Sequence, residues 1–140
     1  MKTGELIKKY RNAAGLTQVQ LAEKCGMTDS EIRNYELGNR TPGDEQISAI
    51  ASALEVSPEA LREIPLTSAR QALELLFRIQ DEFGLTPGES DGDIVLKIDS
   101  SNNAAPKLVA ALKAWKDVVD SENAGEMTHE EVEQWKASFA

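Results

Sequence analysis

Asp29, Ser30, Arg33 and Asn34 fall at helical spacing on one polar face within residues 16–35, LTQVQLAEKCGMTDSEIRNY. A carboxylate, a hydroxyl, a guanidinium and an amide side by side offer donors and acceptors for recognition. The surrounding pattern says how such a face is held. Thr17 and Gln20 form a T-x-x-Q capping box, and Thr28 and Glu31 repeat it as T-x-x-E eleven residues later. Cys25, Gly26 and Met27 stand between the two boxes, and Gly26 suits the left-handed conformation that ends a helix. The stretch therefore predicts two short helices joined by a tight turn. Val19, Leu21, Ala22, Met27 and Ile32 are available to bury the inner side. A polar helix face presented this way, crossed by a partner helix, fits the major groove of DNA.

No other constellation supports chemistry. His129 is the single histidine, beside Glu130 and Glu131 at a predicted helix start, and reads as a solvated first turn. Cys25 is the single cysteine and reads as core. With neither a second histidine nor a second cysteine, no transition-metal site is expected. Asp91, Asp93 and Asp99 lack the spacing of an EF-hand loop and read as turn and strand-end acids. No phosphate-cradling glycine loop, nucleophile elbow or acid pair occurs. The expectation is a protein with no catalytic residues, no metal and no cofactor.

The 140 residues suffice for one domain or two small ones, and 41% apolar with 28% charged residues is a soluble globular composition. No apolar run reaches the roughly 20 residues of a membrane span, and no signal-peptide pattern opens the chain, so no membrane contact is expected. A single cysteine excludes an internal disulfide and suits a reducing cytoplasm, the expected location. A net charge of −9 argues at first against a polyanionic partner. The charge is split, however. Residues 2–43 carry seven Lys/Arg against five Asp/Glu, whereas residues 66–140 carry seven against fourteen. Local charge is what meets phosphates, so the acidic half weakens nonspecific binding without forbidding it.

The elements around the central pair are legible in order. Thr3 is a candidate cap for a first helix over residues 4–14, with Leu6, Ile7, Tyr10 and Ala14 at helical spacing and Gly15 as its stop. Gly38, Asn39 and Arg40 make a loop. Pro42 and Gly43 precede a fourth helix that places Asp44 and Glu45 in its first turn and Ile47, Ile50, Ala51 and Leu54 inward. Ser57 and Pro58 begin a short fifth helix to about Arg62. Residues 1–65 thus predict a compact five-helix domain.

Residues 5–61 resemble the phage-repressor type of helix-turn-helix, the Cro-like or XRE family. The resemblance rests on Leu16-Thr17-Gln18, Leu21-Ala22, Gly26-Met27-Thr28, Ile32, Tyr35-Glu36-Leu37-Gly38, Arg40-Thr41-Pro42 and Ile50-Ala51 with Leu54. It implies a lambda-repressor-like fold that binds double-stranded DNA. Thr17 and Gln18 would open the helix that straddles the backbone, with Gln18 on a phosphate. Asp29, Ser30 and Arg33 would read base edges, with Thr28 and Asn34 nearby, and Asn39 and Arg40 would hold phosphates beyond. An Arg11–Glu36 pair would brace the domain. Arg33 suits the main reading role, since a guanidinium donates two bonds to guanine O6 and N7. Asp29 suits either cytosine N4 or helix capping.

Residues 66–140 fall outside the resemblance and predict a small α+β region. A largely buried helix is expected over residues 67–83, with Ala69, Leu73, Leu76, Phe77 and Phe83 on one stripe, widened by Leu75 and Ile79, and Gly84 as its stop. Residues 86–93 read as loop and turn. One strand is expected over residues 93–99, DIVLKID, with residues 85–90 a poor partner because of Pro87 and the glycines. A lone strand needs a partner, so antiparallel pairing with the same strand of a second chain is expected. A helix from Pro106 to about Asp120 should bury Leu108, Leu112, Trp115 and Val119. A third capping box, Thr128 with Glu131, starts a last helix carrying Val132, Trp135 and Phe139.

The combined reading is a mainly α, sequence-specific transcriptional regulator, a repressor, dimerising through residues 66–140. Two-fold symmetry would then set two reading helices about 34 Å apart on a palindrome. The alternative is an antitoxin or adaptor whose acidic half takes a basic protein partner, with autoregulatory DNA binding. A ligand-sensing pocket in residues 66–140 ranks below both, because so short a region leaves little volume for one.

Overall fold

The computed structural model describes residues 1–140 as two compact units. One comprises Met1–Ile64 with Glu130–Ala140, and the other Pro65–His129. In the first unit α1 (Thr3–Ala13), α2 (Gln18–Cys25), α3 (Asp29–Glu36), α4 (Asp44–Leu54) and a 3-10 turn (Pro58–Leu61) follow one another. Ile7, Leu21, Ile32, Ile50 and Leu61, one from each element, are fully buried and meet in a single core. Both central capping boxes form. The Thr17 hydroxyl accepts from the Gln20 N–H at 3.1 Å while Gln20 Oε1 accepts from the Thr17 N–H at 2.8 Å. Thr28 and Glu31 repeat this at 3.2 and 2.8 Å. Gly26 takes φ +68°, so the chain reverses from α2 into α3 without a Cβ clash.

Two local expectations need correction. Thr3 does not cap α1; the N-cap is Lys2, whose N–H donates to Glu5 Oε2 at 2.8 Å. Val19 faces outward and is half exposed, because Leu21 and Ala22 already fill the inner side of a two-turn helix.

The larger correction concerns the last helix, α7 (His129–Ser138), which was expected to belong with residues 66–140. It joins the first unit. Val132 and Ala137 are 1% and 2% exposed, and Ala137 shares the core of α1–α4. The Ala137 carbonyl, an orphan acceptor at a helix end, takes the Ser57 N–H at 2.7 Å, and Lys9 lies 3.8 Å from Glu133. The five predicted helices therefore need a sixth to close one side of their core.

The second unit contains α5 (Ala69–Phe83), β1 (Leu85–Ser90), β2 (Asp93–Ile98) and α6 (Ala105–Asn123). The single strand expected over residues 93–99 has a partner: β1 and β2 form an antiparallel hairpin pairing Leu85 with Ile98 and Ser90 with Asp93. Asp91 and Gly92 supply the turn, with φ of 52° and 86°, the two positive values of a type I′ turn. Pro87 is tolerated because alternation from the tight turn puts it opposite Leu96 in a non-hydrogen-bonded pair, its missing N–H on the outer edge. α5 is not largely buried as expected; none of its residues is, and Leu73 and Phe77 are 44% and 47% exposed. α6 buries Ala105 and Val118 rather than the predicted stripe, leaving Trp115 and Val119 exposed.

Candidate nucleic-acid interface

The candidate interface comprises the starts of α2 and α3 and the loop after α3. Ile32 and Tyr35 anchor α3 in the core, so helical periodicity turns Asp29, Ser30 and Arg33 outward, and all three are exposed. The side chains of Asp29, Ser30 and Arg33 make no hydrogen bond and no ion pair within the chain. A short helix thus carries a free guanidinium, hydroxyl and carboxylate on its outer face. Thr17 and Thr28 are exposed at the two N-caps, their hydroxyls already accepting the capping N–H bonds. Thr28 Oγ1 also donates to Glu31 Oε2 at 3.0 Å. The Thr28 backbone N–H, that hydroxyl and the charge of Arg40 hold the Glu31 carboxyl below its usual range.

Asn34 does a different job from its neighbours. Its carbonyl accepts the N–H groups of Asn39 and Arg40 at 3.0 and 3.3 Å, and its Oδ1 accepts from Asn39 Nδ2 at 3.3 Å. These bonds fold the Gly38–Arg40 loop back on α3, leaving the Arg40 side chain exposed beside the helix.

Beneath this surface runs a charged chain. Arg11 Nε and Nη2 donate to the two carboxylate oxygens of Glu36 at 2.5 and 3.0 Å, and Nη1 donates to the Leu16 carbonyl at 2.7 Å. Their side chains are only 11% and 3% exposed. Burial alone would raise the Glu36 carboxyl, but bonds from Arg11 and Gln18 and the charges of Arg11 and Lys8 bring it below its usual range. The Glu36 bonds raise the Arg11 guanidinium in turn. Gln18 Nε2 donates to Glu36 Oε2 at 2.8 Å, so the side chain that the resemblance would put on a phosphate is first tied to the brace. Its amide has a second N–H, and Gln18 sits at the first position of α2. Sequence reasoning did not find this link, because a Gln–Glu pair eighteen residues apart has no local signature.

Gly4 was also missed. A Cβ there would stand 2.1 Å from the Tyr35 carbonyl oxygen, so the first turn of α1 lies directly against the end of α3. A glycine in a first helical turn, where it costs stability relative to alanine, was the available signal.

Residues 7–61 match a helix-turn-helix family model. The cryptic-phage CTXphi transcriptional repressor RstR of Vibrio cholerae is 34% identical over 80 residues, which cover 57% of this chain and 70% of RstR. The chain belongs to the XRE-type helix-turn-helix family. A second relative of the family, the immunity repressor of Bacillus phage phi105, is 36% identical over 61 residues, covering 44% of this chain and 42% of that protein. The solved P22 c2 repressor in complex with a synthetic operator aligns at 27% identity with a TM-score of 0.43, covering 45% of this chain and 96% of that one. Within the XRE-type frame, α2 and α3 are the helix-turn-helix and α3 is the helix whose outer face is open. No helix of the chain is long and apolar enough to cross a membrane.

Proposed function

We propose that this chain is a cytoplasmic, sequence-specific transcriptional repressor that binds a palindromic operator as a homodimer. The observation that carries the reading is the outer face of α3, where Asp29, Ser30 and Arg33 are exposed and unpartnered on a helix fixed at both ends. In this reading Arg33 reads a guanine, Ser30 and Asp29 its neighbours, and Thr28 a base or sugar at the groove edge. The second amide N–H of Gln18, the first turn of α2 after Thr17, and the Asn39–Arg40 loop hold phosphates on either side. Asn34 supports the loop that carries Arg40. The Arg11–Glu36–Gln18 chain positions these groups without touching a base.

The homodimer reading is supported by the second unit. Leu73, Phe77, Ile94, Leu96 and Trp115 are all between 44% and 78% exposed, and only Ala105 and Val118 are buried. So much apolar surface around so small a core is what an association surface looks like. The same surface motivates the adaptor reading, with a foreign protein as occupant. Fluorescence anisotropy on a palindrome selected from random DNA tests the proposal. Binding of two chains per palindrome, much tighter than to one half-site, is expected. Equal affinity for the half-site, or no preference over unrelated DNA, would contradict it.

A further inference from the structure

The two edges of the hairpin are unlike each other. Ser90 and Asp93 flank the two-residue turn, so ladder alternation points the N–H and C=O of Asp93, Val95 and Lys97 toward β1 and those of Ile94 and Leu96 outward. On β1 the outward positions include Pro87, which has no N–H to offer and blocks that edge. On β2 nothing blocks it. No group outside the hairpin bonds the backbone of Ile94 or Leu96, and their side chains are 78% and 54% exposed. A two-stranded sheet is marginal in water, and more strands with an apolar face stabilise it.

We propose that the outer edge of β2 pairs antiparallel with β2 of a second copy of this chain, centred on Val95, to make a continuous four-stranded sheet. This rests on the homodimer reading and adds its surface and register. Paired length and charge together select the register. Centring on Ile94 would pair only residues 93–95 of each strand, and about Val95 the acids Asp91 and Asp99 fall outside the paired strands. Centring the two-fold axis on Val95 sets Asp93 of each copy opposite Lys97 of the other, and Ile94 opposite Leu96. Asp93 and Lys97 form no ion pair within their own chain, so both are available. Centring on Leu96 instead would set Asp93 against Asp99, two acids face to face, which is unfavourable. In the Val95 register Ile94 and Leu96 occupy hydrogen-bonded pairs and their four side chains share one face. Val95 meets its symmetry mate in the closer, non-hydrogen-bonded type of pair, with Cα atoms about 4.5 Å apart.

That separation is within disulfide reach. In the full chain with Cys25→Ser, Val95→Cys should convert to a covalent dimer on mild oxidation. In sedimentation equilibrium Lys97→Asp should weaken the dimer roughly tenfold, because it replaces attraction by repulsion at two symmetry-related pairs. Asp93→Lys combined with Lys97→Asp should restore it. A wild-type dimer in which Val95→Cys does not crosslink, or whose affinity ignores both charge variants, would overturn this pairing while leaving the homodimer reading intact. A wild-type chain that stays monomeric at micromolar concentration would overturn both.

Discussion

Arg33 and Arg40 differ in what they are free to touch, and that difference fixes how their loss should read out. Arg33 stands unpartnered on the outer face of α3, so Arg33→Ala should cost about 1–3 kcal/mol on the preferred operator and relax preference at one base pair. Arg40 sits on a loop folded against α3, and Arg40→Ala should weaken all sequences alike and lower the salt dependence of binding. Titrations of both variants against the selected operator and a scrambled duplex separate the two behaviours. Gly4 makes a purely structural prediction. Because an added Cβ would stand 2.1 Å from the Tyr35 carbonyl oxygen, Gly4→Ala must push α1 off α3, and its melting temperature should fall although alanine is the better helix former.

Among elements, α2 and α3 are held by caps and by the Arg11–Glu36–Gln18 chain. Thr28→Ala should cost about 1 kcal/mol in denaturant unfolding through loss of the N-cap. Glu36→Gln should cost more, about 3 kcal/mol, since it strands the Arg11 guanidinium with its carboxylate partner gone. The pH dependence has a definite sign. The Glu36 carboxyl is depressed in the folded chain, so its stabilisation is fully present above the ordinary glutamate value of ~4.3 and is lost as pH falls through the folded value. The stability gap between wild type and Glu36→Gln should therefore be constant near neutrality and close in acid. These elements were legible in the sequence because each carries its own punctuation: T-x-x-Q, T-x-x-E, Gly26. The hairpin was half legible. DIVLKID announced β2 by alternation, but Pro87 argued against β1, and the decisive Asp91-Gly92 turn lay inside a stretch read as loop. The open face of α3 needed only helical periodicity, whereas the Gln18–Glu36 bond needed the folded chain.

For the whole molecule, the chain folds as a helical DNA-binding unit whose last helix arrives from the far end of the sequence. The stripe of Val132 was plain, but its destination was not, since nothing local distinguishes a helix that packs on its neighbour from one that returns to the start. Removing residues 130–140 should destabilise the first unit by about 2 kcal/mol, through loss of Ala137 from its core and of the acceptor for the Ser57 N–H, and calorimetry should show the lower transition. Under the proposed homodimer reading the acidic second unit carries association and the first unit recognition, so charge changes at Asp93 and Lys97 should alter self-association and leave base preference unchanged. Base preference itself decides the account. Binding-site selection from random DNA with wild type and with Arg33→Ala should yield the same palindrome, degenerate in the variant at one symmetric pair of positions only. Identical fully specified palindromes from both proteins, or no enriched sequence from wild type, would contradict the assignment of α3 as the reading helix.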